Sequence, residues 1–309
     1  MKKKTGNKKI FTPYNVFIIA MLAWPMIHFL VFSVGINLGT LVMSTYRYEG
    51  ETAKFVGFQN YVNILQDIFV YKTSIRDAIF NSFSFLPLNV FVILPLSIFF
   101  SYFMYKKIAG YKIYRVIFFL PSIVSVVVLV MAYQYMFDSN FGPITKIVDA
   151  LGMSWVYGQY GWFGTHDSAY FMLWLFLFWS GFGYNLVLVQ GAMIRVPQEI
   201  IESGRLDGVG MFRELFVLIV PMIFPTLSTM ILFGAMSTFN VFVQPQLMFG
   251  MTIEDRLTIP LMIVNMTKNG GYNGQVSAAA LGVLVTLVGA PLMIGLRSLL
   301  NKVTPDVEF

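Results

Sequence analysis

Few side chains in this sequence could perform covalent chemistry. There is no cysteine, which removes disulfides and thiolate metal sites, and the two histidines stand far apart at 28 and 166. Each reads first as a packed or interfacial polar side chain. No Ser/His/Asp set and no metal-ligand spacing recurs, and there is no G-x-x-x-x-G-K-[ST] phosphate loop. What remains is a chemistry of docking and hydrogen bonding. Glu202 and Asp207 share a short stretch with the small residues Ser203, Gly204 and Gly208, so charge and a close-packing surface coincide there. Trp179, Gly181, Tyr184 and Asn185 form a second set, in which rings offer apolar faces to C–H groups while phenol and amide can exchange hydrogen bonds with hydroxyls. Ser237, Thr238, Asn240 and Gln244 form a third, uncharged polar set, with Asn240 its leading candidate.

The elements that must carry these residues are membrane spans. The chain is 57% hydrophobic and 12% charged, against roughly 45–50% and 25% in soluble domains. Six apolar stretches, at about 14–43, 78–105, 116–137, 168–194, 221–249 and 276–297, reach the ~20 residues that a helix needs to cross hydrocarbon. Their interiors hold no Asp, Glu, Lys or Arg, with Arg297 at the last position of the sixth. The expected fold is an all-α membrane bundle. The apolar run after MKKKTGNKK is too long for a secretory signal and lacks a small-x-small end, so it reads as an uncleaved first span. Expected divisions are a basic arm over 1–13, the first span over 14–43, an outer loop over 44–77, a core domain over 78–300 and a tail over 301–309.

Loop charge sets the orientation, because inner loops carry the Lys/Arg excess. With the N-terminus inside, inner segments hold fourteen Lys and Arg, and outer segments hold seven against nine acidic residues. Both termini are then cytoplasmic, and the net charge of +6 follows from topology rather than from nucleic-acid binding. On the outside, GFQNYVNIL reads as a short amphipathic segment, the aromatic 138–167 stretch suits the interfacial belt, and LTIPLMIVNM is too short to span.

The loop between the fourth and fifth spans, 196–221, is the least generic part of the chain. Pro197 suits a first helical position, Glu199 favours the positive end of a helix, and Gly208 can end it in a left-handed turn. Val209, Phe212, Phe216 and Ile219 then recur at helical spacing, which predicts a second helix with one apolar face. Two short helices joined at a glycine make a stiff knuckle. On spacing alone, an ordinary amphipathic segment lying in the interface is as good a description.

The stretch ESGRLDGVGMFRELFVLIVP resembles the EAA signature of permease subunits in binding-protein-dependent ABC importers, with Glu202, Asp207, Gly208 and Pro221 on its fixed positions. Ser203, Gly204 and Val209 stand where that family usually has alanines, and Leu215 where it has phenylalanine. The resemblance runs from about 55 to 300 and narrows to the carbohydrate branch through GFQNY at 57–61, Arg115 with LPS at 120–122, and GYNGQVSAAALG at 271–282. After the fifth span the chain departs, carrying MFGMTIEDRL where sugar permeases often have Thr-Gly-Gly-Pro. Trp179, Gly181 and Tyr184 are similar to the W-x-G-x-x-Y pattern of the maltose-type, sugar-contacting permease.

That resemblance implies a type I importer permease with six spans in a bacterial cytoplasmic membrane, importing a sugar or oligosaccharide. It implies that Glu202, Ser203, Gly204, Asp207 and Gly208 form the coupling helix, and that Trp179, Gly181, Tyr184 and Asn240 contact solute. It implies no catalysis, metal or cofactor in this chain, since ATP and Mg would bind a separate ATPase dimer. The remaining partners would be a second permease, an extracytoplasmic solute-binding protein and membrane lipid. A glycerol phosphoester or polyamine permease is the alternative, although fixed charge in the path would be expected for either. An ion-coupled carrier would need ionisable groups within its spans.

Overall fold

A computed structural model describes residues 12–251 and 253–303. The lysines of the expected basic arm and residues 304–309 of the tail lie outside the described residues. Helices dominate, as the apolar runs require. In chain order they are α1 (Val16–Met43), a hairpin of β1 (Tyr46–Glu49) and β2 (Thr52–Phe55), α2 (Gln59–Gln66), α3 (Ser74–Tyr105), α4 (Tyr111–Ile123) and α5 (Val126–Met136). Then come α6 (Pro143–Ala150), α7 (His166–Ile194), α8 (Gln198–Leu206), α9 (Met211–Ser237), α10 (Val243–Phe249), α11 (Ile259–Asn269) and α12 (Gly271–Val303).

By length and composition α1, α3, α7, α9 and α12 can each cross a membrane, and α4 with α5 makes a sixth crossing if the two are counted as one span. Six spans were expected, and the third of them is this bent pair rather than one straight helix. Between α4 and α5 the chain bends by 106°, with Val124 in extended backbone that breaks the helix after Pro121. The fifth stretch also differs from its expected 221–249. It starts earlier, at Met211, and stops at Ser237, because residues Thr238 to Phe242 unwind before the short α10. The early start brings Arg213 and Glu214 into a long helix whose apolar part alone was read as uncharged.

Proline explains other irregularities. Pro95 and Pro221 have no N–H to give to the carbonyls of Phe91 and Val217, and a π-type segment lies on each of those carbonyls, at Leu88–Ile93 and Glu214–Ile219. The second π segment also shifts the helical phase. Leu215 and Ile219 are buried, while Phe212 and Phe216, expected on one apolar face with Ile219, are exposed.

Small residues set the helix crossings, as they do where helices meet without a hydrophobic drive from water. Gly183 of α7 abuts the backbone of α4, and Gly234 of α9 lies against Asn89 of α3. Ser101 of α3 donates to the Leu186 carbonyl of α7 at 2.8 Å. At one end of the bundle α11 packs between α3 and α12 through Leu257, Leu261, Met262, Ala78, Ala280 and Leu281. Nearby, Arg256 donates to the carbonyls of Phe163 and Gly164, both at 2.7 Å, which fastens the departing MFGMTIEDRL stretch to the loop before α7. Asn81 acts similarly, donating to the carbonyls of Asp255 and Leu257, and Asn60 donates to those of Ser44 and Tyr46 where α1 passes into the hairpin. The hairpin was not foreseen. Gly50, with φ +68°, makes its turn, and Asn273 at the start of α12 pairs with both backbone groups of Tyr48. In contrast, α1 buries none of its residues within this chain.

A methyl group at Gly183 would sit 1.9 Å from the Phe118 carbonyl oxygen and 2.8 Å from the Phe119 Cα, both backbone atoms that cannot swing away. Gly183→Ala should therefore destabilise the bundle by about 1–3 kcal/mol. Gly191→Ala, in open space on the same helix, should not. Thermal unfolding of the detergent-purified protein compares them directly.

Candidate functional site

The knuckle is built as the glycine reading predicts. Pro197, with φ −56° and ψ 131°, caps α8 rather than entering it, and the helix ends at Leu206. Its C-terminus closes in a Schellman turn. Gly208, at φ +75°, donates to the Arg205 carbonyl, and Val209 donates to that of Gly204, both at 3.0 Å. The chain then reverses into α9. Ile201 and Gly204 are the buried residues of α8, and a Cβ on Gly204 would meet the Leu218 side chain of α9 at 2.5 Å. Ile201, Leu215 and Ile219 join Val189, Ala192, Met193 and Val196, from α7 and the loop after it, in one apolar cluster. Burying a side chain such as Ile201 contributes about 1.5–3 kcal/mol.

The opposite face of α8 is open. Glu202, Ser203, Asp207 and Gly208 are exposed, and neither carboxylate has a hydrogen-bond or ion-pair partner among the described residues. Leu206 stands between them 90% exposed. This face thus combines an exposed apolar tip with two acids that have no partner among the described residues.

Sequence reasoning missed the acid beneath this surface. Glu214 is 4% exposed. Its carboxylate meets the Lys106 ammonium, from the residue that caps α3, and lies 3.5 Å from Arg205 Nε on α8. The Lys106 Nζ also lies 5.3 Å from the centre of the Tyr102 ring. Because Lys106 is more than a hundred positions away, no local pattern marks Glu214.

The second set of candidates is divided by helix geometry. Trp179 and Tyr184 are five residues apart, about 140° around a helix with 3.6 residues per turn. Trp179 stacks on Tyr133 of α5 at 6.2 Å with an interplanar angle of 26°, while Tyr184 is exposed elsewhere on α7. Gly181 is the member that faces a cavity, a recess of about 210 Å³ lined by Asn89, Ser180, Gly181, Ser237, Val241 and Gln244, among others. No charged residue lines it. Asn89, unremarked in the sequence because it stands alone in an apolar stretch, donates to Ser237 Oγ at 3.2 Å. Asn240 lies in the unwound turn after α9, exposed, with its amide on the Met236 carbonyl. Thr258 Oγ1 satisfies the Val241 carbonyl freed by the same break, at 2.8 Å. The two histidines differ in burial, His28 being exposed on α1 and His166 half-buried. His28 lies 4.6 Å from the Phe32 ring, and His166 sits against Tyr170 and the Asn81 amide oxygen.

Residues 93–305 match the family described as binding-protein-dependent transport system inner membrane component. The diacetylchitobiose uptake system permease protein NgcF of Streptomyces coelicolor is 28% identical, over 98% of this chain and 87% of its own length. The maltose/maltodextrin transport system permease protein MalF of Escherichia coli is 27% identical over 63% of this chain, a match that spans 39% of that protein. A chain in the crystal structure of a bacterial ABC transporter importing the acidic polysaccharide alginate superposes with a TM-score of 0.81. It covers 94% of this chain and 97% of its own, at 18% identity, and so shares the fold.

At Gly208 a side chain would meet nothing within 4 Å, so the cost of replacing it is purely that of the left-handed backbone. Gly208→Ala should lower stability by about 1–2 kcal/mol. Gly210→Ala, equally open but at φ −73°, should leave the melting temperature unchanged.

Proposed function

Since this chain belongs to the binding-protein-dependent transport system inner membrane components, we propose that it is the permease subunit of an ATP-driven importer for a neutral sugar or oligosaccharide. It provides half of the translocation path. ATP hydrolysis is assigned to a separate ATPase dimer, solute delivery to an extracytoplasmic binding protein, and the other half of the path to a second permease. The knuckle, closed inward on α9 by Gly204, docks into the ATPase through the face that bears Glu202, Ser203, Asp207 and Gly208, and carries its motion into the membrane. Both termini are cytoplasmic in this arrangement, on the same side as the knuckle.

One observation carries this reading: a stiff, glycine-closed lever whose exposed face holds Glu202, Leu206 and Asp207 without partners. A lever needs rigidity behind it and unsatisfied chemistry in front, and α8 has both. Sugar as cargo is supported by the diacetylchitobiose and maltose relatives and by the uncharged recess. Asn89, Ser180, Ser237 and Gln244 can exchange hydrogen bonds with hydroxyls, whereas a phosphoester or polyamine would need a fixed counter-charge there. Within the solute-contacting set, Gly181 follows from the recess. Trp179, Tyr184 and Asn240 would need the second permease to complete a path beside them. The unburied α1 offers that subunit an apolar surface.

The test is reconstitution with the partner permease, ATPase and binding protein, with diacetylchitobiose and maltose as imported probes. Sugar-stimulated ATP turnover with uptake of at least one probe is expected. Uptake driven by a proton gradient without ATP would sink the reading. In the same system Glu202→Lys should reduce ATP-driven uptake by about 30-fold or more, the scale of reversing one partner of a docked charge pair. Unchanged uptake would remove Glu202 from the lever.

A further inference from the structure

The exposed acids explain how the knuckle could be gripped, but not how its displacement would reach α3, which contributes Asn89 to the recess. Glu214 supplies that link. It lies in the first turns of α9, buried, and its carboxylate is shared between Lys106, at the end of α3, and Arg205, on α8. Tyr102, fully buried one turn before Lys106, lies beneath the ammonium and faces the carboxylate. We propose that Glu214 is a positioning residue that locks the knuckle to the end of α3, so that α8, α9 and α3 move as one body. This rests on the coupling reading above and adds to it a second route into the bundle.

Three features favour a transmission role over a purely stabilising one. First, the packing of Ile201 and Gly204 already joins α8 to α9, so the carboxylate is not needed to hold those two together. Second, α3 and α8 have little else in common: besides this acid, they share the cluster around Tyr102 and Ile201 and a 3.4 Å contact from Gln198 to the Tyr105 hydroxyl. Third, apolar contacts resist separation but allow sliding, whereas a buried carboxylate between two cations also resists a slide that would leave its charge unpaired. A rotation of α8 must then drag Lys106, and with it the helix that bears Asn89.

The experiment uses the reconstituted complex and reads solute imported per ATP hydrolysed, with the probe that the wild type transports. Glu214→Gln and Lys106→Gln should each lower that ratio by about 5- to 10-fold, and the double variant should be no worse than the poorer single, because both break one link. Glu214→Asp, which keeps the charge, should recover part of the ratio. Uptake and ATP turnover falling together at an unchanged ratio would mean that Glu214 only stabilises the assembly, and would overturn the proposal. So would additive single effects. Should Glu214→Gln fail to assemble, Lys106→Gln, which changes the more exposed partner, decides alone. A wild-type complex in which ATP turnover does not respond to binding protein and solute refutes the coupling reading itself. A coupled wild type with equally coupled variants refutes only the role of Glu214.

Discussion

The close approach of α8 to α9 is the contact on which the rest of the knuckle depends. It exists because Gly204 has no Cβ to hold Leu218 away and because Gly208 can take a positive φ, letting the chain turn back within a few residues. Given that approach, Ile201 reaches the cluster beneath, the carboxylate of Glu214 comes within range of Arg205, and the charged face of α8 is forced outward. A side chain much larger than alanine at 204 would separate the helices, and a longer loop in place of the Schellman turn would let them hinge. Either change would leave the acids present but the lever soft.

Hydrocarbon imposes the complementary rule on the bundle. Without water, a break in a membrane helix survives only where other groups satisfy the freed backbone. The unwound segment after Ser237 meets that condition: Asn240 caps the Met236 carbonyl and Thr258 takes the Val241 carbonyl. The break in turn brings Gln244 of α10 and Ser237 of α9 to the same recess as Gly181 and Asn89. The polar recess is thus a product of the interrupted helix. A continuous helix over 221–249 would have distributed the same residues around its circumference.

What could be read from the sequence was what depends on near neighbours. The first, second, fourth and sixth apolar runs, the helix stop at Gly208 and the amphipathic segment at α2 are decided by residues within a turn or two, and they stand as read. Failures occur where distant groups decide. Nothing near Val124 announces a 106° bend beyond a proline three residues before it, because the bend is set by the packing of α4 on α7 and of α5 on α10. Glu214 went unmarked because its partner Lys106 is more than a hundred positions away. The hairpin turns on Asn273, more than two hundred residues away.

The exposed face of α8 also constrains what can receive it. Leu206, nearly wholly accessible, would gain by burial in an apolar pocket, while Glu202 and Asp207 would lose hydration unless cations met them at the rim. The proposed ATPase cleft must therefore be apolar at its floor and basic at its edge. Burial of Leu206 would supply affinity, and the two acids would fix orientation. Orientation matters more for a lever than affinity does, because a tip that rotated in its socket would lose displacement however tightly it was held. The buried Glu214 would meet the same demand on the inner side, so the knuckle carries directional charge on both faces with apolar packing between them.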